Sequence, residues 1–190
     1  LNPQIQSITG TLEYSGLDVS YFEAFPKVTG VVGTATFSGD RFDLDILRGN
    51  LQDITLDHGV VHMTQLDTDR EQIAIDLVVR GPLVTALELV NRKPLGLVGE
   101  VGINPAAVGG EMAARLGLRF PLRDDVQLSD VRVSGAANMR GVRMKPGPSG
   151  FVVENSDLEL KLSNSTLKVA GQVQLNGVPL SLDWHKIFVS

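Results

Sequence analysis

The amino-acid sequence predicts a mainly β protein: a long antiparallel meander curled into an open, taco-like groove, with a short helical insert around residues 82–108. Three observations support this prediction. One seven-residue template recurs along the chain: Gly, then four residues of which the second and fourth are apolar, then a polar residue and Gly. Most of the remaining sequence alternates apolar and polar residues, and this two-residue period is typical of a half-buried strand. Residues 81–110 depart from this alternation and show helical spacing.

Each copy of the template predicts a strand that ends in a turn. The copies read GTLEYSG (residues 10–16), GTATFSG (33–39), GAANMRG (135–141) and GQVQLNG (171–177). Successive side chains of a strand point to opposite faces, so the second and fourth residues share one apolar face. A closing Ser-Gly or Asn-Gly tolerates the positive φ of a tight hairpin, and Asn176-Gly177 is the strongest such signal. The repeats therefore predict hairpins that follow one another as a meander.

Alternation alone predicts further strands. Their apolar members include Phe42, Leu44, Ile46, Ile54, Leu56, Ile73, Ile75, Leu77, Val79, Leu116, Leu118, Phe120, Leu158, Leu160, Leu162, Leu167, Val169, Val178, Leu180 and Leu182. A turn is expected at His58-Gly59, before another strand in GVVHMTQL. One more strand is predicted from Val126 to Met139, which is long for a single strand.

The helical insert is predicted from three signals. Pro82 suits the first turn of a helix, and apolar residues from Leu83 to Val90 recur at helical spacing. Lys93-Pro94 is expected to end the helix, and a second helical turn is expected over residues 105–108. We expect residues 1–190 to form one β-groove segment, with the insert at about 81–110. Because the chain begins at Leu1 in strand-like text, we expect it to be excised from a longer protein.

Composition narrows the classes of function. The chain is 43% hydrophobic with a net charge of -5, which disfavours a disordered protein and a nucleic-acid binder. It has no cysteine, so disulfides and cysteine-based sites are excluded. The first residues do not match a signal peptide, and no apolar run is long enough to span a membrane. We expect any export signal or membrane anchor to lie outside residues 1–190.

Three pairs of ionisable residues are candidates for chemistry, and surface roles are favoured for all of them: His58 and His62, Asp43 and Asp45, and Asp67 and Asp69. The histidines lie in strand-turn text, where a spacing of four does not bring two ligands together. The first acidic pair alternates on a polar strand face, and the second lies in a turn that favours Asp. Nucleophile and nucleotide-binding motifs are absent. We therefore expect no catalytic residue, no metal, no cofactor and no enzyme activity.

The regular alternation of apolar residues is the remaining indication of function in the sequence. An ordinary sandwich core would give the same periodicity. A single sheet that curls with its apolar face inward would instead make a trough suited to acyl chains. The residues predicted to line this groove are Leu12, Tyr14, Phe37, Phe42, Leu44, Ile46, Ile73, Ile75, Leu77, Leu116, Leu118, Phe120, Val131, Val133, Val173 and Leu175.

Several stretches resemble the AsmA-like proteins of Gram-negative envelopes, in particular the large YhdP-type branch. The first is FPKVTGVVGTATFSGDRFDLDILRGNLQDITLDHGVVHM, residues 25–63. The second is GPLVTALELVNRKPLG, followed by INPAAVGGEMAARLGLRFPLRDDVQLSDVRVSGAANMRGV. A Pro-x-Val-x-Gly-Val-x-Gly opening, a helix after Gly-Pro, and Gly-Gly before an alternating strand that ends in Pro-Leu carry the likeness. Their order is more specific than any one of them.

The resemblance implies a function that the residues alone do not. Such proteins are β-sheet ducts in the periplasm, anchored in the inner membrane, that carry phospholipids between the inner and outer membranes. By this likeness the chain is a segment of a lipid-carrying groove that supports outer-membrane biogenesis. Its expected partner is phospholipid or another acyl-chain ligand, and membrane contact is made by absent parts of the parent protein.

A second interpretation is a closed structural or adhesive β-domain of an exported protein with no ligand. The two interpretations differ in the sheet. A sandwich presents two apolar faces that meet, whereas a groove presents one continuous apolar face over many strands. An open trough also exposes two strand edges, through which the fragment is expected to be able to dimerise.

Overall fold

The computed structural model describes residues 8–20, 25–92, 98, 103–123, 125–146 and 150–188. Ten strands form one sheet in this part of the chain. The strands are β1 (Gly10–Val19), β2 (Val28–Phe37), β3 (Arg41–Leu51), β4 (Ile54–Thr64), β5 (Gln72–Pro82), β6 (Val108–Pro121), β7 (Arg132–Met144), β8 (Val153–Ser163), β9 (Thr166–Leu175) and β10 (Val178–Ile187). An α-helix, α1 (Leu83–Asn91), follows β5, and 3-10 turns lie at Pro105–Ala107 and Leu128–Asp130.

The order of the strands in the sheet is their order in the chain. Each described strand pairs antiparallel with the strands that precede and follow it. Short turns can join antiparallel neighbours without a crossover, and the turn between β9 and β10 is only Asn176-Gly177. β1 and β10 form the two edges, so the described strands do not close into a barrel. The predicted fold class, an open curled meander with a short helical insert, is confirmed.

The four copies of the template end in two different ways. GTATFSG and GQVQLNG lead into hairpin turns as predicted, and Asn176 and Gly177 have φ of 52° and 77°. In GTLEYSG and GAANMRG the predicted turn is wrong, because β1 and β7 continue past it. Their closing residues, Gly16 and Gly141, have φ of 70° and 57° and lie at register shifts. Positive φ therefore reverses the chain at Asn176-Gly177 and makes a β-bulge at Gly16 and Gly141, whereas the turn at Gly39 forms without it.

Two other strand predictions need correction. β4 runs unbroken through His58 and Gly59, so the turn predicted there is wrong. Gly59 is buried within the strand. β7 begins at Arg132 instead of Val126, because the 3-10 turn Leu128–Asp130 occupies the chain before it.

The helical insert agrees with the sequence where the structure describes it. α1 begins at Leu83, and Pro82 is its N-cap residue with φ of -60°. The predicted second turn is present at Pro105–Ala107. The predicted helix end at Lys93-Pro94 lies outside the described residues, whereas α1 itself ends at Asn91.

Register shifts concentrate at one end of the sheet. We call this the helix end, because α1 follows β5 there; the odd-numbered strands finish at this end. Shifts interrupt six strand pairings in this half, near Leu17 for β1–β2, Gly30 for β2–β3, Asp57 for β4–β5, Gly110 for β6–β7, Gly141 for β7–β8 and Asn155 for β8–β9. A bulge bends its strand and increases the local twist. The curl of the sheet is therefore built mainly at the helix end.

A buried hydroxyl completes the bulge in β8. Ser156 is 1% exposed, and the preceding residue, Asn155, has φ of 41°. The Ser156 hydroxyl donates to the carbonyl of Glu154 at 3.0 Å and accepts from the backbone N–H of Gln174 at 3.0 Å. The side chain therefore replaces a ladder hydrogen bond at the point where the bulge breaks the regular pairing.

Glycines leave room for larger side chains to lie across the sheet. A methyl group on Gly33 would overlap the ring of Tyr14 and the backbone carbonyl of Asp45. A methyl group on Gly59 would approach Leu77 to 2.8 Å. These two glycines lie in one cross-strand row with the side chains that cover them. The glycines leave space in this row because they have no side chain, and the side chains of Tyr14 and Leu77 fill that space.

We expect Gly33→Ala to destabilise the protein by about 1–3 kcal/mol, since the added methyl group overlaps backbone as well as the flexible ring. The matched control is Gly39→Ala, because nothing lies within 4 Å of a methyl group at Gly39, which is exposed. Urea unfolding of both variants measures the difference. Equal loss of stability in the two variants would contradict the close contact at Gly33.

Candidate functional site

The register of the sheet assembles one apolar face. Directly opposite residues of an antiparallel pair project from the same side of the sheet. One row of such pairs crosses seven strands through Leu12, Ala35, Leu44, Val61, Ile75, Leu118 and Val133. A parallel row crosses Phe37, Phe42, Met63, Ile73 and Phe120. The pairing and the two-residue alternation place the predicted groove-lining residues of the strands on this side, which we call the apolar face. Val131 precedes β7, so the strand pairing does not assign it to a face.

Side chains on the apolar face are mostly half-buried. Among the predicted lining residues, Ile73 is buried at 8% exposed, and Leu12 is exposed at 43%. The others are intermediate. A second sheet packed on this face would bury such aliphatic side chains almost completely. Most of the apolar face is therefore uncovered in the part of the chain that the structure describes.

The helix end of the apolar face is covered by α1. The buried cluster there consists of Ile54, Leu83, Leu89, Met112, Met139 and Val142. Two of these residues belong to α1, and the others come from β4, β6 and β7. Leu87 and Phe25 pack around the cluster. The groove is thus closed by a packed core along one rim, and its opposite rim has no helix over it in the described ranges.

Sequence reasoning left some members of the apolar face out of the predicted lining. These are Val61 and Met63 on β4, Leu158, Leu160 and Leu162 on β8, Leu167 and Val169 on β9, and Leu180, Leu182 and Trp184 on β10. They carry the same two-residue alternation as the predicted positions. Extending the alternation to every strand would therefore have found them.

Tyr14 is a polar member of the apolar face. Its hydroxyl donates a hydrogen bond to the backbone carbonyl of Asp45 at 3.2 Å, across the intervening strand β2. Burial, and secondly the charge of the Asp45 carboxylate, raise the pKa of Tyr14. The side chain therefore stays neutral at ordinary pH and lies over Gly33, where its ring contributes apolar surface and its hydroxyl is hydrogen-bonded.

The opposite face of β3 and β4 carries the ionisable residues. Asp43 lies between Arg41 and His62, and both contact its carboxylate at 2.5 Å. Asp45 lies 3.6 Å from His58 on the same two strands. No group of three or more His, Cys, Asp or Glu among the described residues could hold a metal ion.

These pairs have an ordinary structural role. The Arg41 hydrogen bond, and to a smaller extent His62, lower the pKa of the Asp43 carboxyl against the effect of its partial burial. The Asp43–His62 and Asp45–His58 contacts join β3 to β4, and such cross-strand pairs stabilise the pairing of the two strands. Asp67 and Asp69 lie in the exposed turn between β4 and β5, as the sequence predicts. The ionisable candidates thus lie apart from the apolar face.

Comparison of the chain with protein-family models, with curated proteins and with solved structures found no match in any of the three. The resemblance to the AsmA-like proteins therefore stays a prediction from the sequence. Among the described residues, no helix is both long and apolar enough to cross a membrane.

The Asp43 site predicts a dependence of stability on pH. A carboxyl whose pKa is lowered by folding stabilises the fold above its unfolded pKa of about 3.9, and this contribution is lost as pH falls through the folded pKa. We expect Asp43→Asn to be less stable than the unmodified protein near neutral pH, with a difference that shrinks below about pH 4. Urea unfolding over a pH series tests this, with Asp67→Asn in the exposed turn as control. A difference independent of pH would argue against the Asp43 ion pairs.

The cover formed by α1 predicts a second effect. Leu89 is 8% exposed in the buried cluster, whereas the next residue, Val90, is 37% exposed. We expect Leu89→Ala to lower the free energy of unfolding by about 2–4 kcal/mol through lost burial and the cavity left behind. Val90→Ala should change it by less than about 1 kcal/mol. Similar losses in both variants would show that α1 does not pack on the sheet through Leu89.

Proposed function

We propose that this chain is a segment of a lipid-carrying groove, in which the apolar face holds the acyl chains of phospholipids. The observation that supports the proposal most directly is the single apolar face that continues across the sheet and is mostly uncovered. The resemblance to the AsmA-like proteins adds a cellular location to this proposal. The parent protein would be a periplasmic bridge that other parts of it anchor in the inner membrane, and it would move lipid towards the outer membrane.

The dimensions of the face suit acyl chains. Ten strands at a spacing of about 4.8 Å extend roughly 43 Å across the sheet. Lipid chains that span half of a hydrocarbon core of about 30 Å are much shorter than this. Burial of ten methylene groups is worth roughly 8 kcal/mol before the cost of immobilising the lipid. A lipid can therefore be held at many equivalent positions along the face, which is what movement along a groove requires.

The side chains of the apolar face are better suited to holding a lipid than to catalysing a reaction. Its side chains are mainly aliphatic, and its tyrosine donates its hydroxyl hydrogen bond to the backbone. The ionisable pairs Asp43–His62 and Asp45–His58 lie on the opposite face. Apolar contacts without directional hydrogen bonds favour binding by the acyl chains, whatever the headgroup.

The alternative of a closed β-domain without ligand lacks the feature on which it depends. It requires two apolar sheet faces that meet, and the described strands form one open sheet. The packed cluster under α1 covers only the helix end of that sheet. We therefore retain the groove as the proposed function.

The first test is lipid binding by the purified chain. We expect native mass spectrometry to show bound phospholipid, and organic extraction to identify it. Trp184 is the single tryptophan of the chain and lies on the apolar face, where it is 37% exposed. Its emission should shift to shorter wavelength when phospholipid vesicles are added, because acyl chains replace water around the indole ring.

A matched pair of double variants locates the binding surface. Leu44→Asp with Leu118→Asp places two charges in the central row of the apolar face, and we expect lipid binding to be lost. Ala74→Asp with Ala136→Asp adds the same charge to the opposite face, where Ala74 pairs with Arg119 and Ala136 with Arg115 and Lys161. This control should bind lipid normally. Equal binding by both folded variants, or none by the unmodified chain, would contradict the proposal.

A further inference from the structure

A recess with charged walls lies at the end of the sheet opposite the helix end, which we call the open rim. Its volume is about 460 Å³, which falls in the range of small-molecule sites. The turn before β5 contributes Asp69, Arg70 and Glu71, and the chain at the end of β6 contributes Pro121 and Leu122. The recess therefore combines charged side chains with apolar ones in the middle of the sheet.

The register places this recess at the end of an apolar column. Ile73 of β5 pairs with Phe120 of β6, and the next pair along the two strands already lines the recess. The backbone N–H of Leu122 donates to the carbonyl of Glu71 at 2.9 Å, which continues the ladder by one more pair. By the two-residue alternation, Glu71 and Leu122 return to the side of the apolar face. A ligand that lies along Ile73 and Phe120 therefore reaches the recess.

The recess carries two guanidinium groups and two carboxylates. Arg123 is held by two carboxylates outside the recess, at 3.0 Å and 2.6 Å. Asp69, Arg70 and Glu71 form no ion pair with another side chain that the structure describes. The Arg70 guanidinium and the two neighbouring carboxylates match the phosphate and the ammonium of a zwitterionic headgroup. An anionic headgroup would leave both carboxylates without a cation.

The apolar column that leads away from the recess has the length of an acyl chain. On β6 it runs from Phe120 through Leu118 to Leu116, which spans about 13 Å at the rise of a strand. Ala114, two residues further on, packs against the buried cluster under α1. Acyl chains that span half of a hydrocarbon core of about 30 Å have nearly this length, roughly 15 Å. A lipid with its headgroup in the recess therefore ends at the α1 cluster.

We propose that a zwitterionic phospholipid lies across the groove at β5 and β6, an arrangement that rests on the proposed function. Its phosphate binds Arg70, its ammonium binds Asp69 and Glu71, and its acyl chains follow the two strands to the cluster under α1. The apolar face holds acyl chains whatever the headgroup, and the recess adds a headgroup preference at this one position. The lipid is then parallel to the strands and perpendicular to the direction in which the strands succeed one another.

Competition between two lipids tests the headgroup site. The purified chain is mixed with equal amounts of phosphatidylethanolamine, which is zwitterionic, and phosphatidylglycerol, which is anionic, both with the same acyl chains. We expect native mass spectrometry to show phosphatidylethanolamine bound in about two- to fivefold excess, the effect expected of an exposed ion pair. Asp69→Asn with Glu71→Gln removes the ammonium partners, so the excess should be lost. Arg70→Gln should weaken the binding of both lipids, because both carry a phosphate.

The matched control removes two carboxylates from the opposite face. Glu13→Gln with Glu159→Gln changes the net charge by the same amount, and both residues are exposed and pair with Thr34 and Asn138. This control should keep the excess of phosphatidylethanolamine. An equal preference in the two double variants, or no preference in the unmodified chain, would overturn the headgroup site.

Fluorescence quenching tests the orientation of the lipid. In a Trp184→Phe background, one tryptophan is placed near the recess by Phe120→Trp or near the α1 cluster by Leu116→Trp. Phosphatidylethanolamine brominated near the glycerol should quench the first tryptophan more strongly. The same lipid brominated near the terminal methyl group should quench the second more strongly, because the two positions are about 13 Å apart along β6.

The outcomes separate this site from the proposed function. Bound lipid that gives the same order of quenching at both tryptophans would overturn the orientation, while the apolar face would remain a lipid-binding surface. Glycerophosphoethanolamine, the headgroup without acyl chains, should not displace the lipid at equal concentration. Displacement would show that the recess binds headgroups independently of the groove and would overturn the arrangement. No bound lipid at all would overturn the proposed function and this site together.

Discussion

The whole structure depends on the two-residue alternation of side chains across a continuous antiparallel ladder. A shift of the pairing by one residue would move every apolar side chain of a strand to the opposite face. In the open half of the sheet the pairing is regular, and rows such as Leu44, Val61 and Ile75 stay aligned from strand to strand. The apolar face exists because this alignment is kept across the sheet.

The helix end meets a different requirement. Register shifts there interrupt six strand pairings, and such irregularities bend the sheet. The broken ladder is repaired locally, as where the Ser156 hydroxyl accepts from the N–H of Gln174. α1 packs into the curved region through Leu83 and Leu89. Curvature, the buried cluster and the helical insert thus occur together, while the regular half keeps an open surface.

Local sequence determined much of this fold because alternation and turn chemistry act over short distances. The turn at Asn176-Gly177 and the start of α1 after Pro82 could be predicted for this reason. The bulges at Gly16 and Gly141 could not, since a glycine with positive φ serves a turn or a bulge equally well. The apolar stripe was predictable from single strands. How far α1 covers it was not, because that depends on tertiary packing between Leu89 and Met112.

The identity of chain order and sheet order has a mechanical consequence. Each inner strand of the described sheet is held only by its two neighbours in the chain, and β1 and β10 by one neighbour each. Stability in such an arrangement is close to a sum of nearest-neighbour terms. Tension on the two ends of the sheet would load the hydrogen bonds of an edge strand first and peel the meander one hairpin at a time. The strands beneath α1 would resist longest, because the packed helix ties them together.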